Sequence, residues 1–296
     1  MPSKIFLNRQ ISSTNIFNEA EVKLIDEVRS KVMKIYESDK TLFNEKDVED
    51  LEVKRLIHSY LRKQNYDVLK TVEMIKKSLI QLKAMNSANI EYNSYPREYF
   101  ETGGIFIEHG IDFEGNVVVY ARAKFSFITN ETKDFYERLW SFVLNTAFKK
   151  AIIKNKKLVI VADHTGFSLE NVSATGMSLA FNNIKIFKRC VPDSLHRLLY
   201  YNIPWIAKAT LKLFSRALPN DVAKLIEIVD SNSITQFIPE SNLPNFIKNP
   251  DEYYDKPFPQ FADDLDSIDL EKIGVRTEDK EKLRDLFQKI QEKNEY

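Results

Sequence analysis

The sequence predicts an α/β fold in which an N-terminal helical lobe precedes a mixed, largely parallel sheet flanked by helices. The first observation is that no glycine occurs before Gly103 and that Pro2 is the only proline before Pro96, which favours helix in this stretch. The second is that short β-type runs alternate with helical patterns after residue 96, as expected of parallel strands joined by crossover helices. The third is that only 7 of 296 residues are glycine. Neither a G-x-G-x-x-G nor a Walker-A pattern occurs, so two common phosphate-binding loops are excluded.

The N-terminal lobe is predicted from apolar residues that recur at spacings of three and four positions. Such stripes occur within residues 19–36, 51–61 and 68–82. A single apolar stripe on each helix indicates that the helices bury these stripes against one another. We therefore expect a helical lobe over residues 17–95.

The following part, residues 96–250, is predicted to form the sheet and its flanking helices. Two β-type runs flank the turn residues 112–116, which predicts a hairpin. A continuous apolar run at 158–162 is typical of a buried central strand. The remaining elements are helices over 133–153, 174–189 and 205–218 and strands over 198–201 and around 226–229. Beyond them, residues 251–296 are expected to form a proline-rich strap and a helix over 278–293.

Composition and charge exclude several classes of protein. The 43 Lys and Arg residues balance 43 Asp and Glu residues, so the basic excess of a bulk nucleic-acid binder is missing and we expect no nucleic acid partner. One cysteine excludes a disulfide framework and a cysteine-based zinc site. We expect Cys190 to be a buried small hydrophobe rather than a nucleophile. No run resembles a signal peptide or a membrane span, which favours a soluble, cytoplasmic protein.

No pattern in the sequence indicates an enzyme. The four histidines, His58, His109, His164 and His196, show no metal-ligand spacing, and no G-x-S-x-G elbow occurs. Asp163 and His164 follow the predicted central strand, where catalytic residues occur in α/β folds. An exposed polar pair at the end of the strand is the favoured interpretation. We therefore expect neither catalytic residues nor a metal site.

The segment 204–218 carries two stripes of opposite character. Its cations Lys208, Lys212 and Arg216 fall on one helical face. Its apolar residues are Trp205, Ile206, Ala209, Leu213, Phe214, Ala217 and Leu218. A helix of this kind can lie on an anionic membrane surface. On periodicity alone, an ordinary surface helix with solvated cations is the favoured alternative.

Five segments of the chain, taken in order, resemble the successive motifs of a known protein family. They are HSYLRKQNYDVLKTVEMI at 58–75, IDFEGNVVVYARA at 111–123, LVIVADHTGFSLENV at 158–172, VPDSLHRLLYYNIPWIAKATLKLFSRAL at 191–218 and QFIPESNLP at 236–244. Together they resemble the CRAL-TRIO (Sec14-like) lipid-binding family, in its helical lobe, hairpin, central strand, gate helix and lead-out. The phrases ETGGIFIEHGID at 101–112 and NIPWI at 202–206 look most like the CRAL-TRIO part of motile-sperm-domain-containing proteins.

The resemblance implies a hydrophobic pocket that is floored by the sheet and closed by a gate helix at 204–218. In place of a cofactor, one lipid or other small hydrophobic molecule would sit in the pocket and be exchanged at membranes. The apolar residues of 205–218 would then belong to the pocket and gate, and the cations Lys208, Lys212 and Arg216 would face the membrane. With the resemblance, membrane contact becomes the favoured interpretation of this segment. The protein would be cytoplasmic and only transiently at membranes.

The resemblance is weaker where phosphoinositide-binding members hold the lipid headgroup. Gln64 and Asn65 stand where those members have a basic pair. The candidate headgroup contacts that remain are Ser168, Asp193 and Lys224. Ser168 can equally cap the loop after the strand, and Lys224 corresponds only if the alignment shifts by one residue. The sequence therefore does not indicate inositol-phosphate recognition, which needs several converging cations.

Two other functions compete with lipid binding and membrane exchange or sensing. One is a CRAL-TRIO-like scaffold for a protein partner, whose pocket would be plugged by its own large side chains. The other is an enzyme, which no residue pattern in the sequence indicates.

A protein partner could also bind the C-terminal segment, since the residues 251–255 distantly resemble an acidic FFAT-type motif that binds an endoplasmic-reticulum receptor. Lys256 and Phe258 break that pattern, and a proline-flanked strap is the favoured alternative. The ligand, the target membrane and the oligomeric state are not encoded in any motif.

Overall fold

The computed structural model describes residues 17–205, 220–249, 252, 254 and 262–294. Within them the α-helices are α1 (Glu19–Ser38), α2 (Glu45–Glu49), α3 (Lys54–Lys63), α4 (Val68–Ala84), α5 (Arg97–Glu101), α6 (Lys133–Ile153), α7 (Ala174–Cys190), α8 (Asn220–Ala223), α9 (Asn245–Lys248) and α10 (Lys280–Asn294). The strands are β1 (Phe106–Ile111), β2 (Val117–Arg122), β3 (Leu158–Asp163), β4 (Leu195–Tyr201) and β5 (Ile226–Val229). No helix in these ranges is both long enough and apolar enough to cross a membrane.

Polar side chains mark where the long helices begin. The side chain of Asn18 accepts a hydrogen bond from the backbone N–H of Glu21, and the carboxylate of Glu21 accepts one from the backbone N–H of Asn18. This reciprocal arrangement satisfies two N–H groups that have no partner inside α1. Asp67 and Ser173 cap α4 and α7 with one such bond each.

Helices α1 to α4 bury the apolar stripes that predicted them. Their shared core contains Ile25, Val28, Val32, Phe43, Val48, Leu51, Ile57, Leu61, Ile75 and Leu79. The stretch predicted as one helix over 51–61 is divided, because Val53 has an extended backbone (φ −75°, ψ 97°) between a 3-10 turn and α3. The lobe packs against the rest of the chain mainly through its helix α4, which contacts α7. The Tyr60 hydroxyl also donates to the carbonyl of Cys190 at 3.2 Å.

The five strands form one sheet in the order β1-β2-β3-β4-β5. β1 and β2 pair antiparallel, and the other three pairs are parallel. The mixed, largely parallel sheet that the sequence predicts is therefore confirmed, with the hairpin as its antiparallel edge. β4 begins at Leu195, three residues before the predicted start, and α10 begins at Lys280 after a short 3-10 turn.

Successive side chains of each strand point to opposite faces of the sheet, so the sheet separates two apolar cores. On one face Ile160 belongs to a core that also includes residues of α6, α7 and α10. On the other face Val159 and Val161 pack with the segment after β5, which contributes Ile234, Ile238, Leu243, Phe246 and Ile247. Both faces of β3 are therefore covered, as its continuous apolar sequence predicted.

Candidate functional site

A cavity of about 320 Å³ lies between one face of the sheet and the helices α6 and α7. Its volume falls within the range of roughly 300–1,000 Å³ that is typical of small-molecule sites. The described lining residues are Phe106, Ala121, Ser126, Ile128, Tyr136, Trp140, Ile160, Ala162, His164, Phe167, Asn171, Val172, Ser173, Gly176, Met177, Leu179, Ala180, Asn183, Ile184, Phe187, Leu195, Leu198, Tyr200 and Val222. Most of these side chains are apolar, and none carries a carboxylate, an ammonium or a guanidinium group.

The floor of the cavity is a row of residues that face each other across four strands. Phe106 pairs with Ala121, Ala121 with Ala162, and Ala162 with Tyr200. All four line the cavity. Because the two central members are alanines, the sheet leaves open space there that larger side chains would fill. The aromatic rings of Phe106 and Tyr200 stand at the two ends of this row.

Most polar groups in the lining already have a partner within the protein. The Tyr136 hydroxyl donates to the carbonyl of Phe125 at 2.6 Å. The Ser173 hydroxyl donates to the carbonyl of Ile128 at 3.0 Å. The Asn171 amide donates to the carbonyl of Lys124 at 2.9 Å. These hydrogen bonds stabilise the neighbouring loops. Because the three polar groups are already paired, the wall presents a largely apolar surface to the cavity.

At the end of β3, Asp163 is buried and His164 is half-buried, so the expectation of an exposed polar pair is wrong. Asp163 is only 3% exposed, and burial raises the pKa of its carboxyl group. One carboxylate oxygen accepts the backbone N–H of Thr165 at 2.9 Å. His164 points to the cavity instead, and its Nδ1 donates to the carbonyl of Ala162 at 2.9 Å. Because each side chain engages a different neighbour, the pair does not form a catalytic dyad.

The His164 ring lies over the ring of Tyr200. Their centroids are 5.5 Å apart and the rings are inclined by 27°. Burial lowers the pKa of His164, so its imidazole is neutral near pH 7. Burial raises the pKa of Tyr200 to about 12, so its hydroxyl keeps its proton. The cavity thus contains two adjacent polar groups without a net charge.

The segment predicted to form the gate lies mostly outside the described residues. Trp205 is described, and its side chain is 82% exposed. The other predicted pocket and gate residues, Ile206, Ala209, Leu213, Phe214, Ala217 and Leu218, and the cations Lys208, Lys212 and Arg216, lie outside them. In the acidic C-terminal motif, Asp251, Tyr253 and Asp255 also lie outside, whereas Glu252 and Tyr254 are described.

The three candidate headgroup contacts lie at separate places, and none is among the described residues that line the cavity. Ser168 caps the turn after β3 through the side chain of Asn171. The Asp193 carboxylate pairs with Arg62 at 2.8 Å and with Lys157 at 3.4 Å. Lys224 follows α8 and is exposed.

Sequence reasoning missed most of the lining residues. It selected the segment around 205–218, whereas the described lining comes largely from β-strand residues and from α7. One signal was present in the sequence: Ala121 and Ala162 are small residues inside otherwise bulky β-type runs. Their significance depends on the strand register, which brings them opposite each other.

One group of described side chains brings metal-ligand atoms close together, namely Asp112, Glu114 and His196. Asp112 already accepts hydrogen bonds from the backbone N–H groups of Glu114 and Asn116 and from the Asn116 amide. These bonds fix the hairpin turn, so the carboxylate has a structural role there. His196 Nε2 and a carboxylate oxygen of Glu114 are hydrogen-bonded at 3.0 Å on the surface.

The fold and the site together define an α/β protein with a largely apolar cavity between its sheet and two helices. The sequence matches the CRAL/TRIO domain over residues 101–248, half of its 296 residues, and the chain belongs to this family. Among solved structures, the chain is similar to one described as the crystal structure of Sfh5, with a TM-score of 0.60 and 13% sequence identity. That alignment covers 93% of this chain and 100% of the other. At this identity the likeness establishes the fold alone.

Proposed function

We propose that the protein binds one lipid or other small hydrophobic molecule in the cavity between its sheet and helices α6 and α7, and exchanges it at a membrane surface. The observation that carries the proposal is the cavity of about 320 Å³ with its uncharged, largely apolar lining. Transfer of apolar surface from water into such a site is favourable by about 25 cal/mol for each Å². Membership of the CRAL/TRIO family, a class of proteins that bind lipids and small hydrophobic molecules, supports the same conclusion.

The exchange step would depend on the segment 206–218, which we propose as a gate over the cavity. Its neighbour Trp205 is 82% exposed, and an exposed tryptophan suits the boundary between water and lipid. The cations of the segment would attract an anionic membrane surface. In this scheme the protein works in the cytoplasm and meets membranes transiently, and no chemical step is needed. The kinship with the motile-sperm-domain branch and the division of the chain at residues 96 and 251 remain predictions.

The alternative is a protein-interaction scaffold. Under this hypothesis, large side chains of the protein itself would fill the pocket. The described residues instead leave about 320 Å³ open, which favours ligand binding. A headgroup role for Ser168, Asp193 and Lys224 would require the ligand to extend beyond the described lining. We therefore place the ligand's main contacts in the cavity.

The test is to purify the protein without detergent, denature it, extract it with organic solvent and identify the extracted molecules by mass spectrometry. We expect one class of hydrophobic molecule at close to one per protein. The ligand-free protein should then take up one molecule of the uncharged dye Nile red. A preparation that yields no hydrophobic molecule and takes up no dye would contradict the proposal.

A further inference from the structure

The hydroxyl of Tyr200, a residue that lines the cavity, has no hydrogen-bond partner within the described part of the chain. The residue as a whole is 6% exposed. A tyrosine hydroxyl in an apolar site usually makes a hydrogen bond where a partner is within reach. The neighbouring Tyr201, on the other face of the sheet, follows this rule and donates to the carbonyl of Ile247 at 3.2 Å.

His164 supplies a second group beside it. Its Nδ1 carries the proton, since the carbonyl of Ala162 at 2.9 Å can only accept. Nε2 is then the ring nitrogen that carries a lone pair and can accept a hydrogen bond. With the two rings stacked at 5.5 Å, Tyr200 brings one donor and His164 one acceptor to the same part of a largely apolar wall.

The described lining offers nothing that would neutralise a charged head. A phosphate transferred into such a wall loses its hydration, and it needs converging cations to replace that hydration. Among the predicted headgroup residues, Asp193 is an acid that pairs with Arg62 and Lys157, and it is not part of the described lining. An uncharged hydroxyl, in contrast, both donates and accepts, and so matches the two groups of Tyr200 and His164.

We propose that Tyr200 and His164 form a neutral subsite that selects a hydrophobic molecule with a hydroxyl head over one with a phosphate head. This inference rests on the proposed function and specifies its ligand class. The Tyr200 hydroxyl donates a hydrogen bond to the oxygen of the ligand, and His164 Nε2 accepts one from the ligand's O–H group. The row of Ala121 and Ala162 leaves room for the apolar body next to these groups.

The test compares three compounds with the same eight-carbon chain as competitors for Nile red in the ligand-free protein: n-octanol, octyl chloride and octyl phosphate. We expect n-octanol to displace the dye at a concentration at least about tenfold below that of octyl phosphate, because the phosphate cannot be desolvated without cations. Tyr200→Phe should reduce the preference for n-octanol over octyl chloride roughly fivefold, the usual worth of one hydrogen bond. The affinity for octyl chloride should not change.

Tyr201→Phe is the matched control, since it removes the same atom from the opposite face of the sheet. It should leave all three affinities unchanged. Equal effects of the two substitutions, or octyl phosphate binding as tightly as n-octanol to the unaltered protein, would overturn the subsite. The second comparison needs no variant and holds even if a substitution impairs folding. Failure of the unaltered protein to bind Nile red or any competitor would instead overturn the proposed function.

Discussion

Ala121 and Ala162 are direct neighbours on the adjacent parallel strands β2 and β3, and both line the cavity. Their methyl groups leave the middle of the sheet bare between the rings of Phe106 and Tyr200. In a packed interior, side chains of this size would be matched by larger ones opposite them. These two alanines therefore contribute open space to the cavity between the sheet and the helices α6 and α7.

Ala162→Phe should therefore abolish ligand binding. The phenyl ring would occupy the cavity, so we expect uptake of Nile red to fall by at least about tenfold, which corresponds to 1.4 kcal/mol of binding free energy. Because the ring enters an open space, the loss of stability should stay below the roughly 1–3 kcal/mol typical of overpacking a filled core. Dye titration and thermal unfolding measure the two effects.

Ala84→Phe provides the control for this substitution. Ala84 ends α4 on the surface, so the same change in side chain should leave dye uptake unaltered. If Ala162→Phe takes up the dye as the unaltered protein does, the ligand binds elsewhere and the cavity is not the site.

The strands could be predicted from the sequence because the pattern that indicates each strand lies within a few consecutive residues. The apolar run at 158–162 indicates a central strand with both faces covered, and β3 has this place in the sheet. The same run cannot indicate which face carries a cavity, since both faces are apolar. That property depends on Ala121 and Ala162 meeting across strands, and the register is set by contacts between distant parts of the chain.

Arg122 illustrates the same limit for charged residues. It ends β2 and is 2% exposed, although arginine is rarely buried unless it is paired. Its guanidinium lies between the rings of Phe125 and Phe246, at 4.4 and 4.3 Å from their centroids. Phe246 is more than a hundred positions away in sequence, so no local pattern predicts this arrangement. The wrong expectation of an exposed Asp163 has the same origin, because the covering residues come from other segments.

The thiol of Cys190 should be unreactive in the native protein. The residue is 4% exposed, and burial raises the pKa of its thiol to about 11, so almost no thiolate exists at pH 8. We expect Ellman's reagent to react with the native protein only as fast as the region opens, and with the urea-denatured protein at once. Cys190→Ala is the blank for this measurement. Rapid reaction of one thiol per native molecule would contradict the expectation that Cys190 is a buried hydrophobe.

The cations of the segment 206–218 should govern binding to anionic membranes. Replacing Lys208, Lys212 and Arg216 by Glu should abolish co-flotation with phosphatidylserine-containing liposomes, since each cation near such a surface contributes about 1 kcal/mol. The unaltered protein should float at low salt and less well at high salt.

A control with the same change in net charge replaces the exposed lysines of the helical lobe, Lys23, Lys34 and Lys77, by Glu. This variant should still float if the effect belongs to the segment rather than to the total charge. Equal loss in both variants would point to net charge alone, and unchanged flotation of the first variant would remove the cationic stripe from the proposed mechanism.

Asp221, in the short helix α8, links this helix to two other parts of the protein through ion pairs. Its carboxylate pairs with Lys63 of the helical lobe at 2.8 Å and with Lys188 of α7 at 3.0 Å. Hydrogen bonds from these two lysines, first of all Lys63, lower the pKa of Asp221 from 3.8 to about 2. Because the Asp221 side chain is 49% exposed, solvent screens the pairs. Asp221→Asn should therefore cost at most about 1 kcal/mol of stability.

The sign of the pH dependence follows from the lowered pKa. The ionised carboxylate favours the folded state, so its contribution is complete above the unfolded value of 3.8 and disappears as the pH falls towards 2. The free energies of unfolding in urea of the Asp221→Asn variant and the unaltered protein should thus differ near pH 7. They should become equal near pH 2, and also at pH 7 in 1 M salt.

The control is Glu73→Gln, which removes a carboxylate from an exposed pair within α4. It should change the free energy of unfolding by no more than about 0.5 kcal/mol. A difference for Asp221→Asn that persists at both low pH and high salt would show that the side chain acts through packing rather than through its charge.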